Sequence, residues 1–332
     1  MVGWSGSGRF EDFERTVAQK LSIPEAKAAR AGGSLLIDAE DPVALALRVV
    51  QMPGVGWVAA GYRFNGPNGY LKDLEMLARR YLTRARRFQV TARAEASEQT
   101  AGDMVLAGNS TILSAVRGAK IDEKNPQVKF RVSSLGNGGA CGVEIRSGPG
   151  GAPTGGEWAA CLVSGGGRSS AMAWMAALSG YSIRLVHAAT DDSSLGQVAK
   201  LYSELSHRMD STRLELIVVE GDGDPMERAG WWLRRNRGTA FAGWRPTGRR
   251  AADALAKKFP RLTYPLVLVQ DDAIASTYSS LGLGRASKGS GMGAFEKGAL
   301  GTKAKYSETK FGGVEADSNT VIDAIRKAKR PR

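Results

Sequence analysis

Cysteine, histidine and long apolar runs are what this sequence has little of. Among 332 residues there are two cysteines, Cys141 and Cys161, and two histidines, His187 and His207. Two isolated cysteines build no disulfide framework and show no metal spacing, so a structural metal and a Ser-His-Asp site are not expected. No run approaches the ~18 apolar residues that suggest a membrane span. Met1 is not followed by a charged-then-apolar signal segment, so the expectation is a soluble, cytoplasmic protein with no membrane partner. Acid is scarce as well. Against 46 Lys+Arg stand 33 Asp+Glu, a formal net charge of +13, which points to a polyanionic partner.

What is present is ordinary globular material, 42% apolar and long enough for two or three domains. Phe10, Phe13, Val17 and Leu21 fall on one face of an amphipathic helix ended near Pro24. Ser34 to Asp38 reads as a strand. Asp41-Pro42 places an N-cap and a first-position proline before a helix over Val43 to Val50. Pro53-Gly54 turns into a strand, Val55 to Phe64, and Asn65 to Gly69 breaks the chain. Together, with any initial strand absent or very short, 1–64 reads as a ferredoxin-like α+β domain.

A second unit, 70–147, opens with a helix whose apolar face is Leu71, Leu74, Leu77, Ala78, Tyr81 and Leu82. A strand follows, Phe88 to Arg93. Arg79, Arg80, Arg84, Arg86, Arg87 and Arg93 lie here with no acid between Arg79 and Arg93, so they form either a solvated basic face or a phosphate-binding one. The pattern continues with a helix over Asn109 to Val116, a turn at Asn125-Pro126, and strands over Gln127 to Val132 and Ala140 to Ile145. Gly148 to Gly156 is a Gly/Pro linker marking a domain boundary.

After the linker, Trp158 to Val163 is a short apolar strand. Ser164, Gly165, Gly166, Gly167, Arg168 and Ser169 form a tight turn, a helix follows that Gly180 stops, and Tyr181 to Ala189 is again a strand. This β-turn-α-β crossover of a parallel sheet places glycines and a helix N-terminus together. Such a place suits an anion, because backbone N–H groups and the helix dipole face it at close range. Leu214 to Val219 is a further strand, and Gly221 to Pro225 a turn whose Asp222 and Asp224 are either solvated or cation-binding. A second acid-free basic zone follows: Arg228, Arg234, Arg235, Arg237, Arg245, Arg249 and Arg250, interleaved with Trp231, Trp232, Phe241 and Trp244. Either the tryptophans are core and the arginines surface, or the two together stack and pair with flared-out nucleotides. A strand is expected over Leu266 to Gln270. Gly282 to Gly301 is a Gly/Ser/Lys-rich loop, and 301–332 reads as a basic C-terminal tail in which Val321 to Arg332 is either a helix or part of the tail.

The turn resembles the Ser-Gly-Gly-x-Asp-Ser pyrophosphate loop of ATP pyrophosphatases at five of six places, with Arg168 where that loop carries aspartate. The order of parts resembles the tRNA 4-thiouridine synthetase family. Gly6 to Phe13, Met52-Pro53-Gly54-Val55, Phe88 to Arg93, Asn125-Pro126-Gln127-Val128 and Gly150 to Gly155 are similar to that family's local motifs in sequence order. The resemblance, over roughly residues 5 to 260, implies an N-terminal ferredoxin-like domain, a THUMP domain binding tRNA or another structured RNA, and a Rossmann-like pyrophosphate-loop domain over 156–300 with a parallel sheet. It implies ATP and Mg²⁺ as cofactors, adenylation of a tRNA uridine, and sulfur transfer; a homodimer is left open.

Three departures stand beside it. Arg168 cannot ligate a cation, although a guanidinium pairs well with phosphate. Pro246 falls where the family has a functional cysteine, so an external sulfur donor is required. Asp271-Asp272 replaces the family's Thr-Gly-x-x-Leu-Gly-Gln signature, and the similar letters of Ser194 to Val198 lie too early, in a crossover, and read as coincidence. No catalytic residue is assigned. The alternative expectation is a catalytically inactive RNA-binding protein or RNP factor of the same lineage.

Overall fold

The computed structural model describes residues 1–4, 9–22, 28–31, 33–82, 87–188, 192–221, 225–243, 262–263, 276–277, 279–281, 283 and 306–329. The chain divides into two compact units, Met1–Pro153 and Thr154–Arg332. None of the described helices is long and apolar enough to cross a membrane.

The first unit is one eight-stranded sheet with helices. Its elements are β1 (Val2–Trp4), α1 (Phe10–Leu21), β2 (Ala28–Ala31), β3 (Ser34–Ile37), α2 (Pro42–Val49), β4 (Val55–Asn65), α3 (Gly69–Tyr81), β5 (Arg87–Glu95), α4 (Ala101–Ala115), β6 (Lys120–Ile121), β7 (Val128–Leu135) and β8 (Gly138–Ser147), with strand order β2-β3-β1-β4-β8-β7-β5-β6. Segments 1–64 and 70–147 therefore share one sheet, joined where β4 runs antiparallel to β8.

The local reasons are plain. Phe10, Phe13, Val17 and Leu21 of α1 are buried, with Glu11 and Asp12 in the first turn and Lys20 in the last, the arrangement that complements a helix dipole. Asp41 caps α2, its carboxylate accepting from the N–H groups of Val43 and Ala44 at 3.1 and 2.9 Å. In the second half Tyr70, Leu74 and Leu77 of α3 and Met104 and Ile112 of α4 pack on Phe88, Val90, Phe130 and Val132 of the sheet. Helix α4 begins eight residues before Asn109, where the sequence reading starts it. Thr100 and Asp103 form a reciprocal capping box there.

The sheet curls. On the face away from α3 and α4, the guanidinium of Arg93 on β5 donates to the carbonyls of Gly33 and Trp4 at 2.9 and 3.1 Å, and Ser133 Oγ meets Ser34 Oγ at 3.1 Å. Trp57 is buried between, with the Arg131 guanidinium 4.8 Å from its ring centre. Arg131 in turn is paired with Glu144. The N-terminal strands thus fold across the underside of β5 and β7.

The second unit is doubly wound. Its elements are β9 (Trp158–Leu162), α5 (Gly167–Leu178), β10 (Ser182–Ala188), α6 (Asp192–Arg208), β11 (Leu214–Gly221), α7 (Pro225–Arg235), β12 (Thr239–Ala242), β13 (Leu262–Thr263), β14 (Tyr306–Gly312) and α8 (Ser318–Lys329), and the strand order is β13-β12-β9-β10-β11-β14. All neighbours are parallel except β14, which is antiparallel to β11. One core, holding Met172, Leu185, Leu201, Leu216, Val321 and Ile325, lies under α5, α6 and α8; the other, holding Leu162, Val186, Ile217, Ala229 and Trp232, lies under α7.

The expected tail is corrected by this arrangement. Residues 306–312 supply the sheet's edge strand, and α8 buries Val321 and Ile325 completely. Charge and glycine suggested a tail, yet an edge strand buries only part of itself and tolerates exactly that composition on its open side. The expected strand over Leu266 to Gln270 and the glycine-rich stretch 284–301 lie outside the described residues.

Candidate functional site

Strand order reverses at β9. Helix α5 carries the chain from β9 to β10 on one side, whereas β12, reached through α7, pairs with β9 on the other. The carboxyl ends of β9 and β12 therefore flank a topological switch point, where open α/β sheets bind ligands. The Ser164 to Ser169 turn sits there.

Gly165 has φ +81°, a left-handed conformation that glycine adopts without strain. A side chain at Gly165 is excluded for a second reason, since a Cβ there would lie 2.6 Å from Gln197 Cβ and 2.7 Å from its Oε1. Gly166 is the N-cap of α5 and offers no side-chain cap. Ser169 closes the turn from inside: its hydroxyl donates to the Gly166 carbonyl at 3.0 Å and accepts the Ser164 N–H at 3.3 Å. Ser170 donates to the same carbonyl at 3.1 Å. Ser169 is thus a brace of the turn in this structure. The N–H groups of the helix's first turn have no acceptor within the helix, and with the dipole they make an anion-favouring end. Ser164 is exposed, and Gly166 and Arg168 are half-buried.

Arg168 reaches sideways across the switch point. Its Nε donates to the carbonyl of Gly243, the residue after β12, at 3.2 Å. Gly243 lies so close to α5 that a Cβ would fall 2.5 Å from Ser169 Cα and 2.6 Å from Arg168 O. On the β10 side His187 is buried, and its Nδ1 lies 2.9 Å from Val163 O. Facing a carbonyl, that nitrogen carries the proton, so Nε2 accepts from the Ser194 hydroxyl 3.3 Å away. Gln197 and Gly243 are walls of the turn that the sequence reading did not assign. The Leu195-Gly196-Gln197 letters, set aside as coincidence, lie spatially beside Gly165.

The residues present fit an oxyanion better than the Mg²⁺ that the sequence resemblance implies. A guanidinium stands at the carboxylate position, and among the described residues no group of three His, Cys, Asp or Glu could hold a metal ion. Asp222 and Asp224 lie outside those residues. Neither thiol is available for sulfur relay: Cys141 and Cys161 are buried, and burial pushes both thiols far above their ordinary range.

The basic clusters lie partly within the described residues. Arg79 and Arg80 end α3 on the surface, Arg79 paired with Glu75 at 2.8 Å and Arg80 5.5 Å from the Tyr81 ring centre. Exposed Arg87 pairs with Asp122 at 3.3 Å. Arg93 is half-buried under the sheet on the contacts given above, and its pKa is lowered by burial and by Arg131 nearby. In the second unit Arg234, Arg235 and Arg237 are exposed, and Arg235 lies 4.9 Å from the Trp231 ring centre. Trp232 is core, whereas Trp231 is half-buried against Tyr306. Arg84, Arg86, Trp244, Arg245, Arg249 and Arg250, like Pro246 and Asp271-Asp272, lie outside the described residues.

Taken by class, the chain is a curled α+β unit followed by a doubly wound α/β unit with a glycine turn at its switch point. No family model matches it, and no curated protein matches it. Solved structures do share the fold. PH1313 from Pyrococcus horikoshii superposes with a TM-score of 0.62 at 19% identity, over 85% of this chain and 98% of that one. A 4-thiouridine synthetase solved as an RNA complex with bound ATP gives a TM-score of 0.63 at 18% identity, over 85% and 84%. At these identities the likeness is one of fold.

Proposed function

We propose that this chain is a tRNA-binding protein with a THUMP-like first unit and a pyrophosphate-loop-like second unit, in which the Ser164 to Ser169 turn takes the phosphates of ATP. The observation that carries the reading is the uncapped N-terminus of α5 at the switch point of a fold shared with an RNA- and ATP-bound 4-thiouridine synthetase. Exposed arginines on both units and the net charge of +13 support a polyanionic partner. The reaction in view is ATP-dependent adenylation of a tRNA uridine before sulfur transfer. In this chain it is impaired: Arg168 cannot seat a metal, and with both thiols buried the sulfur comes from outside.

The second reading, a structured-RNA binder or RNP factor without catalysis, is favoured by Arg168 alone. Two measurements test these readings. Filter binding of tRNA across a salt series is expected to show affinity falling steeply with ionic strength, and a flat response removes both. Thiolated uridine in tRNA from a strain lacking the gene decides between them: a drop supports the enzyme, and unchanged content supports the binder.

A further inference from the structure

The second basic zone of the sequence mixes arginine with tryptophan, and the structure divides its tryptophans. Trp232 belongs to the core under α7, whereas Trp231 lies half-buried on the flank of that helix. Two neighbours hold the Trp231 ring. Tyr306, which opens the edge strand β14, packs on it with ring centres 5.5 Å apart and planes at 42°. Arg235, four residues on and so on the same side of α7, lays its guanidinium 4.9 Å from the ring centre. Arg235 is exposed nonetheless, so a guanidinium oriented by an indole is presented to solvent.

No carboxylate claims the charge. Among the described residues Arg234, Arg235 and Arg237, all exposed, form no ion pair. The acids of this flank are Glu227, four residues before Trp231, and Glu308, on the same face of β14 as Tyr306, and neither pairs with the three arginines. Arg234 and Arg235 complement the dipole at the end of α7, but that role needs no ring beneath a guanidinium, and Arg237 lies beyond the helix. Topology sets the cluster apart from the glycine turn. Helix α7 leaves the carboxyl end of β11 and runs back to the amino end of β12. Its last turn, with Arg234 and Arg235, therefore stands at the end of the parallel sheet opposite the Ser164 to Ser169 turn.

We infer that the last turn of α7 and Tyr306 form a docking surface for single-stranded RNA, on which the Arg235 guanidinium, backed by Trp231, stacks an unpaired base while Arg234 and Arg237 meet the adjoining phosphates. The inference rests on the RNA-binding reading given above and is independent of the ATP reading of the turn. A guanidinium backed by an aromatic ring is a flat cationic surface, which suits the face of a base. A duplex keeps its base faces stacked on one another and offers phosphate alone. An acidic peptide would be held by the charge and gain nothing from the plane.

The test is fluorescence anisotropy of the full chain with a labelled oligoadenylate of ~10 nucleotides, beside an abasic ribose-phosphate chain of the same length. Wild type is expected to bind the oligoadenylate more tightly than the abasic chain. Arg235→Lys, which keeps the charge and loses the plane, is expected to weaken oligoadenylate binding by about five- to a hundredfold, the loss for one stacked base, and to leave the abasic chain unaffected. Trp231→Leu is expected to do the same. Because Arg235 is exposed, its lysine variant decides the matter if the leucine protein does not fold. Oligoadenylate bound equally by wild type and Arg235→Lys, bound no better than the abasic chain, or not bound at all overturns the inference. So does an oligoglutamate peptide that binds as tightly and depends as strongly on the same plane. Retention of tRNA by wild type in any of these cases leaves the RNA reading standing without this surface, and loss of tRNA retention as well overturns both.

Discussion

The guanidinium of Arg93 donates to the carbonyl of Gly33, sixty positions earlier in the chain, at 2.9 Å, and to that of Trp4 at 3.1 Å. The arginine is a strut holding the N-terminal strands beneath β5. Arg93→Met is expected to destabilise the protein by about 1.5–3 kcal/mol, the range for hydrogen bonds to a charged group, read by urea unfolding. The salt dependence of tRNA binding by the folded variant is expected to match wild type; a smaller slope would make Arg93 a phosphate contact instead.

Surface arginines are expected to behave in the opposite way. Arg80→Ala and Arg234→Ala change exposed residues, so unfolding midpoints stay within about 0.5 kcal/mol of wild type. Filter binding against salt concentration is expected to lose about one unit of slope for each phosphate contact removed.

The thiols give a pH prediction. Burial raises both in the folded state, so Cys141 and Cys161 hold protons that the unfolded chain releases. Stability is fully present below the unfolded thiol value and falls as pH rises above about 8.5, by about 1.4 kcal/mol per pH unit per thiol while the folded thiols stay protonated. Urea midpoints from pH 7 to 10 check this, against a Cys141→Ala, Cys161→Ala protein in which that component is absent. At pH 8 a thiol-specific disulfide reagent is expected to titrate both groups only after denaturant is added.

Gly243→Ala places a methyl group against the backbone of Arg168 and Ser169. It is expected to cost about 1–3 kcal/mol in thermal unfolding through overpacking, and to weaken pyrophosphate binding by shifting the first turn of α5. An unchanged melting temperature would mean that β12 and α5 are further apart than 2.5–2.6 Å contacts require.

Ile325→Ala removes a fully buried side chain from α8. A loss of about 2–5 kcal/mol by denaturant unfolding is expected. A surface-like cost near zero would return 306–329 to the status of a tail.

Much of this architecture is legible in the residues, because local chemistry decides it. The spacing of Phe10, Phe13, Val17 and Leu21 and the Asp41-Pro42 cap are enough to place α1 and α2. The apolar run, glycine turn and helical period around Ser164 are enough for β9, α5 and β10. What escapes is long-range. Strand β2 is four residues of alanine and arginine, with no pattern of its own. The start of α4 was readable from Thr100 and Asp103, but glycine and polar residues dilute its apolar period. Strand β14 exists because β11 has an open edge, a fact that no property of Tyr306 to Gly312 announces. Likewise, a dense arginine run cannot reveal that Arg93 turns inward to carbonyls supplied by another strand, or that Arg168 is tied to the end of β12.

The antiparallel β14 has a bearing on how this protein is made. Until the ribosome has passed the whole stretch 222–305, β11 presents bare backbone along one side, and Tyr202 lacks the Val314 carbonyl that its hydroxyl finds at 2.8 Å. The second unit therefore keeps an open flank after β11 has been made, and that flank closes only once residues 306–314 have followed it out of the ribosome.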